Sequence, residues 1–309
     1  MAVTAILGAG QPRSREFSSL TVATHRKGRE TVITVSSRPF SPGRASLLAA
    51  IVLCSGLIFG VSSVSAVSPA TDKEILWTQH CLAWERITTP NTACVYGDKS
   101  STVLVALVGD SHASHLFPAI ERIAKVRHWK LVVMVKVSCG FIDMRVRNLH
   151  LGREYTECAT WNRNVVKRLA VLKPALTLVA MSRRAIHPVR SVDNTNTAKG
   201  RAVGRMIARV PGQVTVIVDA PYRGSYARSI PKTTALSYSL GAIERIGVAY
   251  SGDSLINLTA ATCPRWPCPV VVNRITKFRD TEHFTATFSR TVLGAPGGFL
   301  DVALSARLR

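Results

Sequence analysis

The sequence predicts a three-layer α/β/α sandwich built on a parallel sheet and preceded by one transmembrane helix. Three observations predict it. Short apolar runs alternate with longer stretches of helical period from residue 103 onward, residues 45–70 carry no charge, and six cysteines beyond that segment fall into sequence-local pairs. Strands buried on both faces read as continuous apolar runs, and crossover helices are what join parallel neighbours.

Residues 1–44 hold seven basic side chains against Glu16 and Glu30, are rich in Ser and Thr, and show no sustained apolar period. They are expected to form a disordered basic tail in the cytoplasm. Inside the charge-free segment, residues 47–67 match the roughly 20 residues that one bilayer crossing needs, so 45–67 is expected to be a membrane anchor. Basic residues stand on its N-terminal side, and the positive-inside rule then places residues 68–309 outside the cytoplasm. Val64, Ser65 and Ala66 also offer small residues at the spacing that signal peptidase prefers, so cleavage after export is the competing expectation.

In the exported domain, residues 103–108 are expected to be the first buried strand and 113–127 the helix after it. Residues 131–137, 175–181 and 214–218 follow as buried strands, separated by helical stretches at 154–172 and 197–209. The C-terminal signal is weaker: 270–273 is a terminal strand or a loop, and 286–293 is a last helix. Residues 294–298 are a glycine-rich turn with no helix expected after it, hence without the geometry that cradles a phosphate.

The net charge is +22, and only seven of the 40 basic and two of the 18 acidic residues precede Val67, which leaves +17 beyond it. Such a field suits nucleic acid only when finger motifs or stacking platforms accompany it, and with 6% aromatic residues and no paired Cys/His finger none is present. No nucleic-acid partner is expected; the charge points to anionic lipid headgroups or acidic wall polymer. Of the seven cysteines, Cys54 lies in the apolar run. Six cysteines allow fifteen connectivities, but Cys81 with Cys94, Cys139 with Cys158 and Cys263 with Cys268 close the shortest loops and are the expected disulfides. Bonds of this kind persist only in an oxidising compartment, which agrees with export. A zinc site would need closer Cys spacing and matching histidines, and no Cys-x-x-Cys occurs.

The first expected strand runs into Gly109, Asp110, Ser111 and His112, followed by Ala113, Ser114 and His115 at a helix start. A serine there sits at the carboxyl edge of a parallel sheet, where ligands bind, with backbone amides beside it that can stabilise an oxyanion. Alone, the segment is equally a helix cap. Near the other end, Asp280 and His283 stand three residues apart. One tight turn brings such a carboxylate to the imidazole Nδ1 and leaves Nε2 to take a proton from a serine hydroxyl. Ser111, His283 and Asp280 are thus the candidate catalytic residues. His112 and His115 have no third ligand at suitable spacing, so no metal and no cofactor is expected.

In these residues the chain resembles the SGNH hydrolases, specifically the SGNH domain found C-terminal to membrane acyltransferase-3 proteins that O-acetylate envelope polysaccharides. The resemblance spans about residues 81–304. It rests on the Cys pair before the first strand, on 109–115, on Ser138-Cys139-Gly140, on Cys158 with Trp161 and Asn162, and above all on the 263–285 tail. It implies a flavodoxin-like fold, Ser111 as nucleophile, His283 as general base and Asp280 as the acid that orients it. Where typical members carry a Gly-x-Asn-Asp block, this chain has Met181-Ser182-Arg183-Arg184. That leaves the backbone amides of Ser111 and Gly140 as expected oxyanion-hole donors and a third donor unassigned; losing one donor costs about two to three orders of magnitude in rate.

The apolar segment makes the expected protein a single-pass one, and the resemblance implies that it sits in a bacterial cell membrane and transfers acetyl groups to envelope carbohydrate through an acyl-enzyme. A multi-helix membrane acyltransferase is the implied partner, since one span cannot move acyl groups across a bilayer. Two alternatives stand beside this: an esterase with the same triad, in which water is the acceptor, and a catalytically impaired, membrane-tethered glycan-binding module.

Overall fold

Consecutive side chains along a strand point to opposite faces of a sheet, and the central strands are buried at almost every position. In β3 (Leu104–Gly109), Val105 and Leu107 enter one apolar cluster while Ala106 and Val108 enter a second. The strand can be buried on both sides only if helices cover both. The other strands of the sheet are β1 (Leu82–Ala83), β2 (Val95–Gly97), β4 (Lys130–Lys136), β5 (Leu176–Ala180), β6 (Val214–Ile217) and β7 (Ser254–Ile256). Their order is β7-β6-β5-β3-β4-β1, with β2 also beside β4. Every pairing is parallel except β2 with β4. Across β4, β3, β5, β6 and β7 this is the flavodoxin-like 2-1-3-4-5 order, whose switch point lies between β3 and β5.

This computed structural model describes residues 21–27, 30–36, 68–221, 241–264 and 268–308. The expected anchor at 45–67 lies outside them, and among the described residues no helix is long and apolar enough to cross a membrane. The chain divides into two units, 1–63 and 64–309. In the first, Thr21–Lys27 and Glu30–Ser36 pair antiparallel within the segment expected to be disordered. Their Thr and Val content favours strands, a local signal that the search for longer apolar periods passes over.

In the second unit, α1 (Ser111–Val126) packs Ala113, Leu116, Phe117, Ile120 and Ile123 into the first cluster, a stripe at three- and four-residue spacing. Phe288, Leu300 and Leu304 from the C-terminal helices join it there. The second cluster receives Trp161, Val165 and Leu169 from α2 (Thr156–Leu172), Ala202, Val203 and Met206 from α3 (Asn196–Ile207), and Ile243 from α4 (Ala242–Ser251). Each fully buried aliphatic side chain contributes about 1.5–3 kcal/mol. The structure joins Cys81 to Cys94, Cys139 to Cys158 and Cys263 to Cys268, with Cα–Cα distances of 5.7, 5.4 and 4.7 Å.

The C-terminal region departs from expectation in three places. Val271–Val272 pairs with Ile275–Thr276 in a small antiparallel hairpin of its own, because the turn at Asn273 and Arg274, both with positive φ, folds the segment back on itself. The last helix is a single turn, Ala286–Phe288, running into a π-helical turn, Ser289–Leu293. A helix, α5 (Phe299–Ser305), does follow the glycine-rich turn, and its own Asp301 accepts the Gly297 N–H at 2.8 Å. The carboxylate occupies the place an anion would take.

Candidate active site

The turn from β3 into α1 depends on Gly109, whose φ is +144° and whose absent Cβ would stand 1.7 Å from the Ala180 carbonyl oxygen. Only glycine allows β3 and β5 to approach this closely. Asp110 comes next and is fully buried. One of its carboxylate oxygens accepts the His112 N–H and the other the Ser182 N–H, each at 2.8 Å, so a single side chain caps α1 and ties it to the end of β5. Burial pushes the Asp110 carboxyl above its ordinary pKa. Ser111 is then the first residue of α1, at the switch point of the sheet.

The partner residues come from a turn at 278–284, clamped at its base where Phe278 and Phe284 form a β-bridge with both rings in the core. Within it the Arg279 N–H donates to the His283 carbonyl at 3.0 Å. Asp280 Oδ1 accepts the amides of Glu282 and His283 at 2.8 and 2.7 Å, which fixes the carboxylate. His283 Nδ1 then lies 2.9 Å from Asp280 Oδ2, and Nε2 lies 2.9 Å from Ser111 Oγ. Burial works against ionisation of Asp280, but the hydrogen bonds from the His283 ring and the two amides outweigh it and hold the carboxyl well below the usual range. The structure thus brings together all three candidate residues, in the order carboxylate, imidazole, hydroxyl.

Around them lies a shell of polar groups: His112 and His115, expected from the sequence to line the cleft, and Asp219, Glu244 and Glu74, which sequence reasoning missed. His112 Nδ1 is 2.6 Å from Asp219 Oδ1, and although burial opposes its charge, Asp219 and then Asp110 and Glu282 raise its pKa to about 9. His115 moves the other way: burial, with His112 and His283 nearby, pushes it well below the ordinary value, and its neutral Nδ1 accepts the Phe284 N–H at 3.4 Å. His112 thus lines the cavity while tied to Asp219, and His115 holds the base of the turn through Phe284. Glu244, buried in α4, accepts the Asp219 N–H at 3.1 Å, and burial raises its pKa to about 7. Asp219 stands just beyond the carboxyl end of β6, the sheet edge where ligands bind, and that position was a usable signal.

Glu74 gave none. It lies before the first strand, yet its buried carboxylate accepts hydrogen bonds from the Ser114 hydroxyl, the Arg279 guanidinium and the Trp77 indole N–H. Two residues earlier, the Asp72 carbonyl accepts the Ala286 N–H at 3.0 Å. Residues 68–79 thus form a strap beneath the turn that carries Asp280 and His283.

The site opens on a cavity of about 420 Å3 lined by Ser111, His112, Ser138, Ser182 and basic residues. Gly140, an expected oxyanion donor, is buried with its carbonyl accepting Asn162 Nδ2 at 3.0 Å, and it does not line this cavity. Ser138 does so instead, in a left-handed conformation (φ +51°) next to Cys139, which is bonded to α2. That turn faces its serine to the cavity and its glycine to the protein. Ser182, where the asparagine block was sought, also lines it.

Among solved structures, the chain is similar to the periplasmic domain of a Salmonella ser. Paratyphi A lipopolysaccharide acetyltransferase, at a TM-score of 0.51 and 14% identity, over 74% of this chain and 98% of that one. At that identity the likeness is one of fold. No curated protein matches. The family model for the SGNH domain fused to AT3 domains matches residues 80–295, an interval that holds Ser111, Asp280, His283 and all three disulfides. By that match the chain belongs to the SGNH domains of the kind fused to AT3 domains.

Proposed function

We propose that this protein is an acyltransferase that works through an acyl-enzyme on Ser111, acting outside the cytoplasm on envelope carbohydrate. The observation that carries the reading is the unbroken relay from Asp280 through His283 to Ser111, with 2.9 Å at each link. In the first half-reaction, Ser111 Oγ attacks the carbonyl carbon of an acyl ester while its proton passes to His283 Nε2. The tetrahedral adduct then expels the alcohol, which leaves with that proton. In the second, an acceptor hydroxyl gives its proton to Nε2 as its oxygen bonds the acyl carbon, and Ser111 regains its hydroxyl. Asp280, held ionised, steadies the imidazolium that forms in each half.

Family membership and a fold shared with an acetyltransferase domain support acyl-transfer chemistry and an exported location. The membrane anchor and a multi-helix partner that supplies acyl groups belong to the same reading, with the three disulfides as support for export. A glycan-binding relic is the weaker alternative, since a site under no catalytic demand has no reason to keep three side chains in hydrogen-bonded register. The esterase alternative differs only in the second acceptor. The test is release of p-nitrophenol from p-nitrophenyl acetate by the full chain and by Ser111→Ala, with and without added sugar. Serine-dependent release with acetyl recovered on the sugar is expected; release only to water makes it an esterase, and no serine-dependent release sinks the proposal.

A further inference from the structure

The cavity that holds Ser111 has basic walls. Arg147 and Asn148 line it from one side, in a two-residue strand paired with Arg153–Glu154, and Arg184 lines it from the turn after β5. Glu282 is the single carboxylate among the lining residues, and it lies 3.9 Å from Arg184. Arg147 is different: its guanidinium donates to the Gly152 carbonyl at 3.1 Å, and among the described residues it has no carboxylate within ion-pair distance. Beside it, Asn148 is buried and turns its carbonyl oxygen to the amides of His150 and Leu151, at 2.8 and 3.0 Å. Its amide end is buried beside the Tyr155 hydroxyl, with which it hydrogen-bonds.

We infer that the acyl acceptor is anionic, a sugar bearing a carboxylate or phosphate that Arg147 and Arg184 hold while its hydroxyl meets the acyl group on Ser111. This rests on the acyl-transfer reading above and names its substrate class. A guanidinium presents a planar fork of donors that matches a carboxylate or phosphate in two-point geometry, which a neutral sugar cannot repay. A concave site walled by one sign of charge also focuses its field and draws such a ligand in. A short acyl group on Ser111 fills only a small part of about 420 Å3, so the basic wall faces what comes next to it, the acceptor.

The full chain is given p-nitrophenyl acetate and one of three acceptors: a uronic acid disaccharide, a glycerophosphate-substituted sugar and a neutral disaccharide. Acetylated product is counted by mass spectrometry. At low salt, kcat/KM for at least one charged acceptor is expected to exceed the neutral one by about tenfold, the equivalent of about 1.4 kcal/mol. Which charged arm wins separates carboxylate from phosphate. Arg147→Ala and Arg184→Ala each bring the charged-to-neutral ratio towards one, mainly through KM, Arg147→Lys keeps part of it, and Arg201→Ala on the exposed side of α3 leaves it alone. Equal use of all three sugars, or a ratio untouched by both substitutions, overturns the inference while Ser111-dependent chemistry stands. Calorimetric binding of the same sugars to Ser111→Ala decides it without turnover: equal affinity for charged and neutral sugars also overturns it, and a salt-sensitive preference for the charged ones upholds it.

Discussion

On the acyl-enzyme route proposed above, Ser111 and His283 share one proton transfer, so their removal is expected to be non-additive. Each alanine substitution should cost about three orders of magnitude or more in acyl release, and Ser111→Ala combined with His283→Ala little beyond either alone. Costs that simply multiply in a stopped assay would mean the two do not act as a pair. Asp280→Asn should lower turnover with little change in thermal stability, because its side chain can still accept the two backbone amides that build the turn. A second residue-scale expectation concerns Glu244, whose pKa is raised by burial to about 7. A carboxyl raised in the folded state destabilises it progressively as pH climbs from the unfolded value through about 7, since its charged form is what the interior resists. Glu244→Gln keeps the acceptor for the Asp219 N–H and removes that charge, so calorimetric Tm should rise by a few degrees near pH 8 and stay unchanged near pH 4. An equal rise at both pH values would mean that charge is not the cause. His112 acts on the same alkaline side: raised to about 9, it gives stability that is full below the ordinary imidazole value and lost as pH rises through about 9.

Among the elements, the turn at 278–284 was legible because Asp280 and His283 sit close in sequence and need only one local fold to meet. The strap at 68–79 was not legible, because nothing in its composition says that Glu74 ends beneath Arg279, 205 residues away. The short strands show the same limit: β7, at three residues, has too few positions to register a period, and β1 has two. The strap matters energetically through a fully buried ion pair, and removing one member of such a pair leaves the other charged and unpaired, at about 3–5 kcal/mol. Arg279→Leu should therefore destabilise strongly, while Arg279→Leu with Glu74→Leu should recover part of that loss. Urea unfolding of Arg279→Leu, Glu74→Leu and the double variant measures this; a double variant worse than the sum of its singles would show that the pair is not the link between strap and turn.

For the molecule as a whole, the parallel sheet and its two covering layers were readable from the apolar runs at β3, β4, β5 and β6, where every position is buried or nearly so. The order of strands was not, since periodicity describes each strand and says nothing of its neighbours. Nor was the split of helices into α1 with the C-terminal pair on one face and α2, α3 and α4 on the other. This division predicts how far the N-terminus can be cut back. A chain beginning at Gln79 keeps every strand of the seven-stranded sheet and all three disulfides but loses Asp72, Glu74 and the buried Leu76 from the first cluster. It should retain the circular dichroism of the sheet and helices while losing most of its acyl release, whereas a chain beginning at Ser68 should keep both. Full activity in the shorter chain would show the strap to be dispensable.

The strap and the turn it supports stand near opposite ends of the domain, and the nucleophile is joined to its base across 172 residues. A ribosome therefore completes Ser111 long before it makes His283. The strap, synthesised first, waits for the tail, synthesised last, and only their meeting assembles a working centre. On the proposed acyl-enzyme route Ser111 has no base until the tail is made, so an incomplete chain is expected to show no acylating activity. In refolding, acyl release should then lag behind recovery of the sheet.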